Sequence, residues 1–184
     1  EMFYWKSKIK PAPKKFNPKD KNWVEIWNDV LMQYNKDEQG NYNQAKQKNI
    51  DTGMGVERTI TVLNGLEDNY LSSCFLPIIK QIEEISNKSY KGNEKSMRII
   101  ADHIKAAVFI IADGITPSNA EQGYVLRRLI RRLIRHGRNL NLKNFTRQIA
   151  LPVLQIYNDY KILENNKEKI LNELEKEENR FLET

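Results

Sequence analysis

Residues 51–58 read Asp51-Thr52-Gly53-Met54-Gly55-Val56-Glu57-Arg58, and within them the chain changes its period. Up to Gly55 small and apolar residues alternate, the two-residue repeat of a strand. Beyond it apolar residues recur at helical spacing, which predicts one short helix over 56–65. The fold class that follows is α+β, a partial antiparallel sheet and then a helical domain. Glycines at alternate strand positions remove one row of side chains and leave flat backbone on which a planar ring can lie. Arg58, just beyond, can stack on such a ring or meet a phosphate. The same letters also suit a tight strand-to-helix turn with an ordinary exposed arginine.

Upstream, residues 23–34 (WVEIWNDVLMQY) mix β-branched and aromatic residues. Val24, Ile26, Asn28, Val30 and Met32 fall on one side; Trp23, Glu25, Trp27, Asp29, Leu31 and Gln33 on the other. Both faces carry large apolar groups, so this strand is expected inside a sheet rather than at its edge. Residues 1–5 form a short aromatic strand, and 6–21, with Pro11, Pro13 and Pro18, a surface loop. A polar turn around Gly40 joins the long strand to a third one, which leads into Ile50 and Asp51.

Downstream, helices are predicted over 74–86 and 96–113. In the second, Met97, Ile100, Ile104, Ala107, Val108 and Ile111 share a stripe, and Gly114 is a natural stop. Residues 116–119 (TPSN) make a turn that opens a helix over 123–136, and further helices are predicted over 145–157 and 162–181.

The helix over 123–136 carries the strongest charge pattern. On an ideal wheel Val125, Leu126, Leu129, Ile130, Leu133 and Ile134 share one half, while Arg127, Arg128, Arg131, Arg132 and Arg135 fall within about 140° of the other. No acid lies between Gly123 and Asn141. Five arginines without a carboxylate repel one another, and ordinary soluble surfaces intersperse both signs. Arginine also binds phosphate in a forked, two-bond way. The row therefore reads as a nucleic-acid surface, with the alternative that some members pair with acids from other helices; alone it does not separate RNA from DNA. Regional charge agrees. The net +6 divides as about +5 over 1–22, −4 over 23–90, +8 over 91–150 and −3 over 151–184, so one internal stretch is fitted to meet a polyanion.

With 40% hydrophobic and 29% charged residues, the composition is that of a globular rather than a disordered chain. No apolar run reaches the roughly 18–20 residues of a membrane span, and no secretory signal is seen. A single cysteine, Cys74, excludes an internal disulfide framework and a cysteine-based zinc site. His103 and His136 have no cysteine nearby, so no metal is expected. A reducing, cytoplasmic setting fits, and the lack of an initiator Met suggests a piece of something longer.

The DTGMGVER stretch resembles the third signature motif of class II aminoacyl-tRNA synthetases, in the wording of the alanyl-tRNA synthetase family. Two further blocks resemble that family in the same order: WVEIWNDVLMQYNK, similar to the core strand before the motif, and RIIADHIKAAVFIIADGITPSNAEQGYVLRRLIRRLIRHG, similar to its tRNA-recognition region. The resemblance implies ATP-dependent activation of alanine and its transfer to the 3′ end of alanine tRNA. It implies a division into residues 1–66, the end of the catalytic core, and 67–184, a helical tRNA-recognition domain.

Position by position, Arg58 resembles the catalytic, ATP-engaging arginine, and Gly53 and Gly55 the floor under adenosine. Asn28, Asp51 and Gly53 resemble the residues that hold alanine, Asp51 as a buried carboxylate facing the ammonium. Asn119 resembles the asparagine that reads a G·U wobble pair in the acceptor stem; an N-cap of the arginine helix is its other reading. Arg127, Arg128, Arg131, Arg132 and Arg135 would contact tRNA. ATP with Mg2+ is the implied co-substrate, with none expected bound to this chain alone, and neither DNA nor a membrane is an expected partner. Gln122 stands where the family often has an arginine. The first two signature motifs and the zinc-binding editing domain have no counterpart here, so the chain alone is expected to be inactive. A rival reading is a non-enzymatic helical RNA- or DNA-binding module with a purely structural glycine motif.

Overall fold

The computed structural model describes residues 1–183 as two compact units, Glu1–Ser72 and a second beginning at Ser73. The first is a three-stranded antiparallel sheet in the order β1 (Met2–Trp5), β2 (Trp23–Lys36) and β3 (Tyr42–Met54), followed by helix α1 (Val56–Leu63) and a 3-10 turn, Asn69–Leu71. The aromatic residues that predicted sheet also anchor the 6–21 loop. Phe16 folds back onto Phe3 and Trp23 at ring-centroid distances of 4.7 and 5.4 Å. Lys6 N–H donates to the Asn22 carbonyl at 2.9 Å and closes the loop's base.

β2 is the central strand, as its two apolar faces predict, but β1 pairs with it only between Trp23 and Trp27. Beyond that point, among the described residues, β2 pairs with β3 alone, in a ribbon. Val30, Leu31, Met32 and Ile50 are exposed there, Leu31 at 76%. The ribbon turns on Asp37, whose carboxylate accepts from Asn41 N–H at 2.8 Å and Gln39 N–H at 3.0 Å. These bonds, the Asn41 one foremost, hold its carboxyl below the usual range.

The second unit is helical: α2 (Leu76–Ser86), α3 (Glu94–Ala112), α4 (Glu121–Asn139), α5 (Thr146–Ile156), α6 (Lys161–Asn165) and α7 (Lys167–Leu182). Every residue of the predicted stripe on α3 is fully buried, and α3 stops at Gly114 with φ +97°. Facing it are Leu126, Ile130, Leu133 and Ile134 of α4 and Ile149 and Val153 of α5. Val125, expected on the apolar half of α4, is instead 54% exposed. Gly123 and Gly137 take part in the buried stripe in its place, because α4 rotates to lay bare backbone against its neighbours. A Cβ on Gly137 would lie 2.2 Å from the ring of buried Phe145. The single helix expected over 162–181 is two, broken at Asn166, which ends α6 and begins α7. Glu178, 2% exposed, takes the N–H groups of Phe145 and Thr146 at 3.1 and 2.9 Å and the Thr146 hydroxyl at 2.6 Å. It thereby satisfies the orphan donors at the start of α5.

Candidate functional site

Strand register collects the first group of side chains. Asn28 faces Gly53 and Val30 faces Asp51 across the β2–β3 ladder, and Gly55 N–H donates to the Ile26 carbonyl at 2.9 Å. Cross-strand partners share a face, so Asn28, Asp51, Gly53 and Gly55 stand on one side of the ribbon. The β1–β2 ladder slips by one residue, pairing Met2 with Trp27 and Phe3 with Glu25. Such a bulge re-aims the side chains before it. Glu25 thus meets Asn28, whose Nδ2 donates to Glu25 Oε1 at 3.0 Å. Arg58, in the first turn of α1, reaches back and donates from Nη1 to the Glu25 carbonyl at 3.0 Å. Glu25, Ile26, Trp27, Asn28, Gly53, Gly55 and Arg58 line an open hollow of about 110 Å³.

The two glycines serve different ends. A Cβ at Gly53 would meet nothing within 4 Å, so its absence keeps the floor bare. A Cβ at Gly55 would come within 3.3 Å of Arg58 Cδ, so its absence lets that side chain lie across the strand. Asp51 lies on the same face but outside the lining of the hollow. It is exposed rather than buried as expected, on a stretch where, among the described residues, β3 pairs with β2 alone. On the ribbon's other face Trp27 Nε1 donates to the Thr52 hydroxyl, which donates to Asp29 Oδ1 at 2.7 Å.

A second group surrounds α4 and splits the arginine row in two. Arg127 Nε and Arg131 Nη1 both donate to Glu177 Oε1 of α7 at 3.3 Å, and the Glu177 side chain is only 3% exposed. Arg131 also stacks on Phe181, 4.9 Å from the ring centroid. Arg128, Arg132 and Arg135 point the other way and are exposed. Among the described residues these three make no ion pair; Arg128 lies 5.8 Å from the Tyr124 ring. His136, in the last turn of α4, approaches Ser96 Oγ with Nδ1 at 3.2 Å. Burial first, then the charges of Arg132 and Lys95, push its imidazole below the ordinary value.

Asn119 precedes α4 but does not cap it. The N-cap is Ala120, without a side-chain bond, and Asn119 Oδ1 accepts from Arg127 Nη1 instead. The turn lies against Gly123, where a Cβ would fall 2.6 Å from the Thr116 carbonyl oxygen. Gln122 is exposed.

Sequence reasoning missed Glu25 and Glu177. The first is re-aimed by a bulge that leaves no mark in the letters, and the second stands in an acid-rich run with the look of a solvated face.

The sequence profile of the family described as tRNA synthetases class II (A) matches residues 2–184. The alanine–tRNA ligase of Borreliella afzelii (strain PKo) is 50% identical over 169 residues, 88% of this chain and 28% of that protein. That of Borrelia hermsii (strain HS1 / DAH) is 49% identical over 169 residues, with the same coverages of 88% and 28%. That of Prochlorococcus marinus (strain MIT 9515) is 44% identical over 168 residues, 88% of this chain and 19% of the ligase. The chain thus spans less than a third of the length of these curated relatives, and it belongs to the tRNA synthetases of class II (A).

Proposed function

We propose that the chain forms part of an alanine–tRNA ligase, in which residues 1–66 complete the aminoacylation core and 67–184 recognise tRNA. The whole protein would activate alanine with ATP to alanyl-adenylate and transfer it to the 3′ end of alanine tRNA in the cytoplasm. The observation that carries this reading is the hollow where Asn28, Gly53, Gly55 and Arg58 converge at the strand-to-helix switch. A bare strand fits the flat face of adenine, and Arg58 fits a phosphate or the ring itself. Asn28 and the exposed Asp51 carboxylate, on the same face, fit an amino acid's polar groups. Mg2+, brought with ATP, would offset phosphate charge, and Glu25 is the carboxylate that lines the hollow.

Arg128, Arg132 and Arg135 form the face that meets the acceptor stem. Arg127 and Arg131, committed to Glu177, hold α7 against α4 beside it. Asn119, at the start of α4, reads the wobble pair. Arg58→Ala in the protein that contains this chain tests the proposal. Charging of alanine tRNA should fall on the order of 100-fold or more in kcat/KM, as for loss of one preorganised charge contact, with the fold intact by circular dichroism. Unchanged charging would remove the hollow from the catalytic site.

A further inference from the structure

From Lys6 to Lys21 the chain carries seven lysines against one acid, Asp20, a net +6. All seven are exposed, and among the described residues none makes an ion pair. Asp20 is half-buried, and its Oδ1 accepts from Asn22 N–H at 2.9 Å and from Asn22 Nδ2 at 3.0 Å. Ordinary soluble surfaces intersperse both signs. A loop that keeps so many like charges unpaired is fitted to a partner with many negative ones.

The fold holds this loop at several points. Trp5 Nε1 donates to the Lys10 carbonyl at 2.7 Å, and Lys10 N–H to the Ser7 hydroxyl at 3.1 Å. The Trp5 ring meets Trp23 edge-on at 5.1 Å, next to the Phe16 contacts described above. Lys8 crosses to α1, donating from Nζ to the Gly65 carbonyl just past its end at 2.8 Å, where unpaired helix carbonyls favour a cation. Pro11, Pro13 and Pro18 fix φ at three more places. The charges are therefore arranged before a partner arrives, which lowers the ordering cost of binding.

Two features select the polyanion. Every cation before Arg58 is a lysine, a point charge on a flexible stem that can follow a phosphate backbone without forked recognition. Aromatic faces also lie open beside them, Phe16 at 50% and Tyr4 at 44%. Cations that track phosphates, with rings on which bases stack, suit a single strand. The loop leads into Trp23, and Glu25, at the edge of the hollow, stands two residues on, about 7 Å along β2.

We infer that the 6–21 loop grips the unpaired 3′ end of an RNA by its phosphates and leads it toward the hollow. This rests on the reading of the hollow as the place where an RNA 3′ end is charged, and it adds a contact that is blind to sequence.

The test replaces Lys14, Lys15 and Lys19 with glutamine in the protein that contains this chain. Their side chains make no hydrogen bond or ion pair among the described residues, so the fold should be kept. Labelled single-stranded RNA of about twelve nucleotides and a blunt-ended hairpin RNA are each titrated across a salt series. The slope of log affinity against log salt should flatten by about 2 for the single strand, three charges at about 0.7 each. It should stay unaltered for the hairpin. In charging, KM for tRNA should rise on the order of tenfold, while amino-acid-dependent pyrophosphate exchange, which needs no RNA, is unchanged. Should the triple variant lose exchange, Lys15→Gln alone carries the comparison, at about 0.7.

Unaltered slopes for both RNAs would overturn the inference. Equal flattening for both would overturn it as well, by making the loop a duplex contact. Binding of the parent to phosphatidylserine vesicles, lost in the variant while the RNA slopes hold, would assign the lysines to a membrane surface instead. Exchange that selects an amino acid other than alanine would sink the functional reading, and the slopes would still judge the loop.

Discussion

Replacing Arg128, Arg132 and Arg135 together with glutamine removes the exposed half of the α4 row and leaves the half held by Glu177 in place. The three lie at i, i+4 and i+7, so they span about 10 Å along the helix at 1.5 Å per residue, room enough to address separate phosphates. Each phosphate neutralised adds about 0.7–0.9 to the slope of log affinity against log salt. The triple replacement should therefore flatten the slope by about 2 to 3. Between about 50 and 200 mM salt, these arginines alone account for a change of about 20–40-fold in affinity. Fluorescence anisotropy with labelled alanine tRNA across a salt series measures both quantities. Stability should hardly move, since the three side chains make no ion pair among the described residues. Arg147→Gln is the control: this α5 arginine pairs with Glu168 at 3.0 Å and Glu175 at 3.5 Å, and losing it should leave the slope unaltered. A triple variant with the parent's slope would refute the reasoning.

Three further outcomes are expected. Gly53→Ala adds a methyl group that meets no protein atom within 4 Å, so melting temperature should stay within about 2 °C. Because the methyl fills the proposed adenosine floor, KM for ATP should rise about tenfold; an unchanged KM would argue against that floor. Glu178→Ala strips three donors at the start of α5 of their acceptor and should cost on the order of 3 kcal/mol in urea unfolding, against a few tenths if the site is wet. His136 titrates lower in the folded chain than its unfolded value of about 6.5. The neutral imidazole is the form the fold favours, so this contribution is full above that value and is lost as pH falls through it towards the folded value. Urea midpoints at pH 7.5 and 5.5 should differ less in His136→Gln than in the parent, and an equal difference would assign the pH dependence elsewhere.

The letters marked some features of this fold well and others not at all. The switch at Gly55 was legible because a two-residue repeat gives way to a 3.6-residue one within five positions. The α3 stripe was legible because six apolar residues keep one helical face and Gly114 ends it. The break between α6 and α7 was hidden: Asn166 is neither glycine nor proline, and apolar spacing runs on from Leu163 to Ile170. The even arginine row was misleading in one respect. Which guanidiniums face solvent depends on Glu177, some fifty residues along the chain, and on how far α4 rolls to bury Gly123 and Gly137. In the hollow, Gly53, Gly55 and Arg58 were visible as a motif. Glu25 was not, because a bulge changes which way a side chain points without changing the sequence.

The most direct test of the account is amino-acid-dependent exchange of pyrophosphate into ATP, run with the protein that contains this chain against each of the twenty amino acids. Alanine should support exchange far better than any other amino acid, and Asp51→Ala or Arg58→Ala should remove it. Exchange driven best by a different amino acid, or alanine exchange that survives both substitutions, would contradict the function proposed for the site.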